Sequence, residues 1–189
     1  SLTDGTETVT KDITVTVTNV NDVAPVFTSE ATFSAAENQT AIETASAKDA
    51  DGDSITFTVS GTELAITSAG VLTFVSTPDY ETKSSYTATV SISDSIVTTA
   101  QNITVNVSDV NDAPVATAAS YGLNLLPQSQ TSASTTLAGT DQDGDTLTYA
   151  IASNGNYGTA SISGSTFSYQ TSADTQSAQS DSFTFTAND

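Results

Sequence analysis

Apolar residues alternate with Thr, Ser and Ala in short runs along this chain. Ile13, Val15 and Val17 form one run, Ile55, Phe57 and Val59 a second, and Tyr86, Ala88, Val90 and Ile92 a third. Ile103, Val105 and Val107, then Leu147, Tyr149 and Ile151, then Phe183, Phe185 and Ala187 repeat the pattern. A period of two places every second side chain on one face, so each run predicts a strand with one buried and one solvated face. Gly, Asn, Asp and Pro separate the runs, and no stretch has the spacing of an amphipathic helix. Many short strands divided by turn signals predict an all-β fold of packed antiparallel sheets, that is, Greek-key β-sandwiches.

The pattern is repeated. Asp12-Ile-Thr-Val-Thr-Val-Thr-Asn-Val-Asn-Asp22 matches Asn102-Ile-Thr-Val-Asn-Val-Ser-Asp-Val-Asn-Asp112 without a gap, a period of 90 residues, and the register pairs Asp4 with Asp94. A second signature, Asp49-Ala-Asp-Gly-Asp53, returns as Asp141-Gln-Asp-Gly-Asp145 after 92 residues. Such a period is the signature of tandem modules, and about seven short strands in that length make one small sandwich. The phase predicts a complete module at 23–112 and a second at 113–189 that lacks its last strand. Residues 1–22 read as the last strand of a preceding module plus a linker.

Composition narrows the function. The net charge is −19, the cations are Lys11, Lys48 and Lys83, and there is no Arg, so nothing could neutralise nucleic-acid phosphates. A charge of that size repels itself, and bound divalent cations are the economical compensation. Cys and His are absent, which removes thiolate and imidazole ligands and the catalytic devices built on them. What remains is a hard cation held by oxygen. No apolar stretch is long enough for a membrane-spanning helix. The chain is therefore expected not to be an enzyme.

Twelve of the sixteen Asp residues lie in short motifs beside Gly, Asn or Pro. Calcium takes six to eight oxygens from flexible carboxylates and carbonyls, and clustered loop Asp and Asn supply them. An EF-hand is excluded, because that loop needs a Glu at its twelfth position and flanking helices. A polar turn is the plain alternative for one copy of Asp-x-Asp-Gly-Asp, and two copies in phase with Asn-Asp junctions weigh against it. Asp79 and Glu81 as glycosidase acids would need a sugar-lined cleft, and the chain has no Trp. Tyr80, Tyr121 and Tyr157 are loop tyrosines that could stack on a carbohydrate.

Ala36-Glu37-Asn38, Asp49-Ala-Asp51, Asp79-Tyr-Glu81, Ser93-Asp94 and Asp109-Val-Asn-Asp-Ala-Pro114 resemble the calcium motifs of cadherins, in the same order along the chain. The region 113–189 resembles the cadherin-like and bacterial immunoglobulin-like repeats of large surface adhesins, through Asp141-Gln-Asp-Gly-Asp-Thr-Leu-Thr-Tyr149 and Asp181-Ser-Phe-Thr-Phe-Thr-Ala-Asn-Asp189. The resemblance implies tandem immunoglobulin-like or cadherin-like sandwiches with Ca2+ at their junctions. Carried over by position, one junction would use Glu37, Asp79, Glu81, Asp109, Asn111, Asp112, Asp141, Asp143 and Asp189. An earlier one would keep Asn21, Asp22, Asp49, Asp51 and Asp94, with Asn19 where the later copy has Asp109.

The expected role is that of a calcium-stiffened spacer in an extracellular bacterial adhesin at the cell surface. Its partners would be neighbouring repeats of the same polypeptide or identical chains. Two alternatives stand beside it. One is a module that binds polysaccharide, a cell surface or its own kind. The other is a head-to-tail fibre, built by donor-strand exchange between a spare strand at 1–22 and the open edge of the second module.

Overall fold

The computed structural model describes residues 2–120, 132–172 and 180–189. Strands and turns account for all the regular structure among the described residues, and none of it is helical. The chain forms two compact units, Ser1–Ser108 and Asp109–Asp189.

In the first unit the long antiparallel hairpin Ser85–Ser93 with Thr98–Ser108 is the centre of a four-stranded sheet. Thr56–Val59 pairs antiparallel with the first arm, and Thr32–Ala36 pairs parallel with the second. Ala41–Thr44, Val71–Phe74 and Leu64–Ile66 form a three-stranded sheet, with Val26–Phe27 and Ala47–Lys48 paired beside it. The alternation read from the sequence decides what lies inside. Phe33, Phe57, Leu72, Phe74, Val90, Ile92, Ile103, Val105 and Val107 form one buried cluster, while the Thr and Ser between them face out. Gly70 closes a tight turn at φ +90°, where a Cβ would run into the Ala45 carbonyl oxygen.

The 12–18 run, expected as the last strand of a preceding module, is unpaired among the described residues. Ile13, Val15 and Val17 are 85%, 78% and 88% exposed and enter no ladder, whereas their repeat counterparts Ile103, Val105 and Val107 are 3%, 0% and 5% exposed. Alternation reports that a segment suits a half-buried strand, and a partner strand must still be present to cover it. Ahead of this run, Leu2–Thr3 and Thr8–Val9 make a small hairpin closed by Asp4. Asp4 Oδ1 accepts from the N–H groups of Thr6 and Glu7, each at 3.0 Å. Asp94 repeats that turn, accepting from Ile96 and Val97 N–H at 2.8 and 2.6 Å. The register that pairs Asp4 with Asp94 is thus also a structural one.

In the second unit Ser132–Thr136, Thr166–Thr171 and Gly158–Ser163 form a three-stranded antiparallel sheet. Thr148–Ser153 pairs with Thr184–Asn188, and Val115–Thr117 with Ala138–Thr140. Leu137, Ala160, Phe167 and Tyr169 are buried together, with Tyr149, Ile151, Ile162, Phe183 and Phe185 packed against them. Phe167 and Phe183 stack with centroids 4.2 Å apart. Asp181 fastens one end of this core. Its carboxylate accepts from Tyr169 Oη at 2.6 Å and from the N–H groups of Asn156 and Tyr157 at 2.7 and 2.9 Å. A side chain at Gly155 would collide with that carboxylate, which is why the loop has none there. Burial alone would raise the Asp181 carboxyl, but the hydrogen bonds from Tyr169, Tyr157, Asn156 and Ser182 outweigh it and hold the group below its ordinary value. Burial and the facing Asp181 push the Tyr169 hydroxyl up to about 12.

Candidate metal sites

Three acidic groups emerge when each unit is taken by itself. The first lies in the first unit around the 49–53 loop. Asp49 Oδ1 accepts from the N–H groups of Asp51 at 2.8 Å and Asp53 at 3.2 Å, which curls the loop over its own first side chain. One carboxylate oxygen from each of Asp49, Asp51 and Asp53 then lies within 4.8 Å of the others. The 19–23 segment is tied to the same loop. Asp22 and Val23 N–H donate to Asp51 Oδ2 at 3.1 and 2.8 Å, and Asn19 Nδ2 donates to the Asp51 carbonyl oxygen at 2.9 Å. Asn21 Nδ2 reaches the Asp94 carbonyl oxygen at 3.4 Å. Asn21, Asp22, Asp49, Asp51 and Asp94 are therefore joined at one end of this unit.

The electrostatics there are incomplete for protein alone. Asp49 is 9% exposed and Asp94 3% exposed, yet Oδ2 of each is buried without a hydrogen-bond partner, as are Asp53 Oδ2 and Asn21 Oδ1. Backbone hydrogen bonds from Val97 and Ile96 hold the Asp94 carboxyl below its ordinary value, so it is an anion with one bare oxygen. A buried charged oxygen without a donor or counter-charge costs several kcal/mol. The donor set is all oxygen and carries several negative charges, as calcium requires. Oxygens bound to one ion at about 2.3 to 2.6 Å stand no more than about 5 Å apart, and the observed grouping meets that limit.

The second group lies in the second unit and repeats the wiring. Asp112 N–H donates to Asp143 Oδ2 at 2.6 Å, as Asp22 does to Asp51, and Asp145 N–H donates to Asp141 Oδ1 at 3.0 Å, as Asp53 does to Asp49. Asn111 Nδ2 donates to Asp189 Oδ2 at 2.6 Å, where Asn21 meets Asp94. Asp141 Oδ2 and Asp143 Oδ1 again lack a hydrogen-bond partner. Asp109 is exposed at the start of this unit.

The third group is in the first unit. Glu37, 2% exposed, accepts the Tyr80 N–H at 2.7 Å on Oε2, which fastens it to the 79–81 turn. Asp79 Oδ1 accepts the Thr82 N–H at 3.0 Å. Asn38, at φ 62°, donates its N–H to the Pro78 carbonyl oxygen at 3.1 Å, so the 36–38 segment is pinned to that turn from both sides. Glu37 is thus held against the turn that carries Asp79 and Glu81, 43 residues separating it from Tyr80. Tyr80 and Tyr157 are 37% and 39% exposed, and Tyr121 lies outside the described residues.

Sequence reasoning left Asp53 out of the ligand set, although it sits two positions beyond Asp51 in the same alternating acidic string. It also left out the Asp181–Tyr169 contact, for which a lone Asp between Ser residues gives no local signal.

Residues 111–189 match the family model described as bacterial Ig domain. Among solved structures, the chain is similar to human protocadherin-24 EC1-2, with TM-score 0.55 and 19% identity over 88% of this chain and 93% of that one. A second crystal form of that fragment gives TM-score 0.61 and 21% identity over 88% and 87%. Mouse cadherin-23 EC22-24 gives TM-score 0.53 and 22% identity over 80% of this chain and 55% of that one. A search of curated proteins by sequence finds no match. Identities at this level speak for fold alone. The chain is thus an all-β tandem of cadherin-like and Ig-like sandwich domains, whose residues 111–189 match the bacterial Ig domain model.

Proposed function

We propose that the chain is a spacer segment of an extracellular bacterial surface adhesin, in which Ca2+ bound at module junctions turns a hinged string of sandwiches into a stiff rod. The observation that carries this reading is the duplicated wiring. In both units the N–H of a linker Asp is spent on the second carboxylate of an Asp-x-Asp, and neighbouring carboxylate oxygens are left without any donor. By resemblance to cadherins, Glu37, Asp79 and Glu81 of one module and Asp109, Asn111, Asp112, Asp141, Asp143 and Asp189 of the next share the ions of one junction. Asn21, Asp22, Asp49, Asp51 and Asp94 serve the junction before it. Extracellular modules commonly bind calcium at about 10⁻⁴ to 10⁻³ M, so such a rod is stiff outside a cell and loose in a calcium-poor compartment. Without the ions, like charges at each junction push the modules apart. Small-angle scattering of the full chain tests this. Calcium should lengthen the maximum dimension and narrow the distribution of interdomain distances, and identical profiles in calcium and chelator would refute the spacer mechanism.

A second reading is favoured by one observation, the exposure of Ile13, Val15 and Val17 in a copy of a core strand. In it, this strand completes the sheet of an identical chain and builds a head-to-tail fibre. Electron micrographs of the purified protein would show unbranched filaments if so, and monodisperse particles if not.

A further inference from the structure

The cadherin-like Asp-x-Asp signature accounts for two of the three carboxylates that meet in the 49–53 loop. We propose that Asp53 is a third carboxylate ligand there, so that this loop chelates a divalent cation from within a single module. The inference rests on the reading of these loops as calcium sites, and adds to it a residue that the family motif does not supply.

Three observations converge on Asp53. Its carboxylate lies within 4.8 Å of those of both Asp49 and Asp51, close enough for all three to touch one ion. Its Oδ2 is buried without a hydrogen-bond partner, and the ion pair found among the described residues joins Lys83 to Glu63, two loop residues elsewhere in the unit. The backbone explains the convergence. Asp51 and Asp53 both donate their N–H groups to Asp49 Oδ1, and Gly52 between them takes φ +82°, so side chains at alternate positions turn toward one point.

An acidic loop alone would not make a site. Here two side chains at least nine-tenths buried, Asp49 in the loop and Asp94 from the strand end beyond it, each hold an unpartnered oxygen. Asn21, bonded to the Asp94 backbone, adds a third, and its neighbour Asp22 is bonded to Asp51. Asp49, Asp51 and Asp53 together offer three carboxylates from one loop, and backbone oxygens and water can complete the six to eight oxygens that calcium takes. Binding at this loop would then survive separation from an upstream module.

Calorimetric titration of calcium into the full chain tests the assignment, with wild type, Asp53→Asn and the charge-matched surface control Asp12→Asn side by side. The expected result is that Asp53→Asn weakens one site by about tenfold or more while Asp12→Asn leaves the isotherm in place, because ligand charge sets affinity. In chelator, Asp53→Asn should melt no lower than wild type, which separates lost binding from lost folding. Superimposable Asp53→Asn and Asp12→Asn isotherms over a wild type that binds calcium would overturn the role of Asp53 alone. A wild type that takes up no calcium would overturn this assignment and the calcium reading beneath it.

Discussion

Replacing Asp49 by Asn should make the calcium-free protein more stable and its response to calcium smaller, two effects of opposite sign from one substitution. The amide keeps an Oδ1 that can accept from Asp51 and Asp53 N–H, so the loop turn survives. The change removes one of three carboxylates that each place an oxygen within 4.8 Å of the others. At that separation each pair repels by at least about 0.9 kcal/mol even in the dielectric of water, or about 1.7 kcal/mol for the two pairs relieved. For a unit of this size the gain corresponds to a rise in melting temperature on the order of 5 to 10 °C. Calcium acts the other way. With about 10 mM free ion and a dissociation constant of about 10⁻³ M, each bound ion stabilises the wild type by about 1.4 kcal/mol, and the variant forfeits much of that at this loop. Scanning calorimetry of both proteins, in chelator and in calcium, would show the variant melting above wild type in the first and rising less in the second. A variant that melts below wild type in chelator, or that gains as much from calcium, would refute the argument that these oxygens repel one another until an ion joins them.

Leu72→Ala empties a site that is 1% exposed in the first unit and should cost about 2 to 5 kcal/mol, and the calorimetric transition that it lowers is the one belonging to that unit. In the second unit, the Asp181 carboxyl is held below its ordinary value, so it contributes stability above about pH 4 that is lost as pH falls through its folded value. Asp181→Asn should therefore destabilise at neutral pH and flatten the acid limb of a melting-temperature profile recorded in chelator, and an unchanged limb would contradict the assignment. The Tyr169 hydroxyl is raised to about 12, so its contribution is full below about pH 10 and lost on the way to its folded value. Tyr169→Phe should shrink that alkaline loss, measured by the same profiles.

Period-two runs reveal strands wherever the buried face is rich in large apolar residues, as at Tyr86–Ile92 and Ile103–Val107, where side-chain size and spacing speak together. They are silent at Ser132–Thr136, whose small polar residues pair with Thr166–Thr171 and leave Phe167 and Tyr169 to fill the core. At Ile13–Val17 the same pattern recurs without a ladder among the described residues, since alternation marks a segment suited to a sheet and does not itself supply the partner strand. The acidic loops were legible because their chemistry lies in one contiguous string and recurs in phase. Asp181 was not, since its partners Asn156, Tyr157 and Tyr169 lie 12 to 25 residues away and only the folded chain brings them together.

The most direct test is a crystal structure of the protein grown in millimolar calcium. The expected result is a strong peak within about 2.3 to 2.6 Å of carboxylate oxygens of Asp49, Asp51 and Asp53, and another beside Asp141 and Asp143. Ordinary water at those oxygens, in saturating calcium, would contradict it.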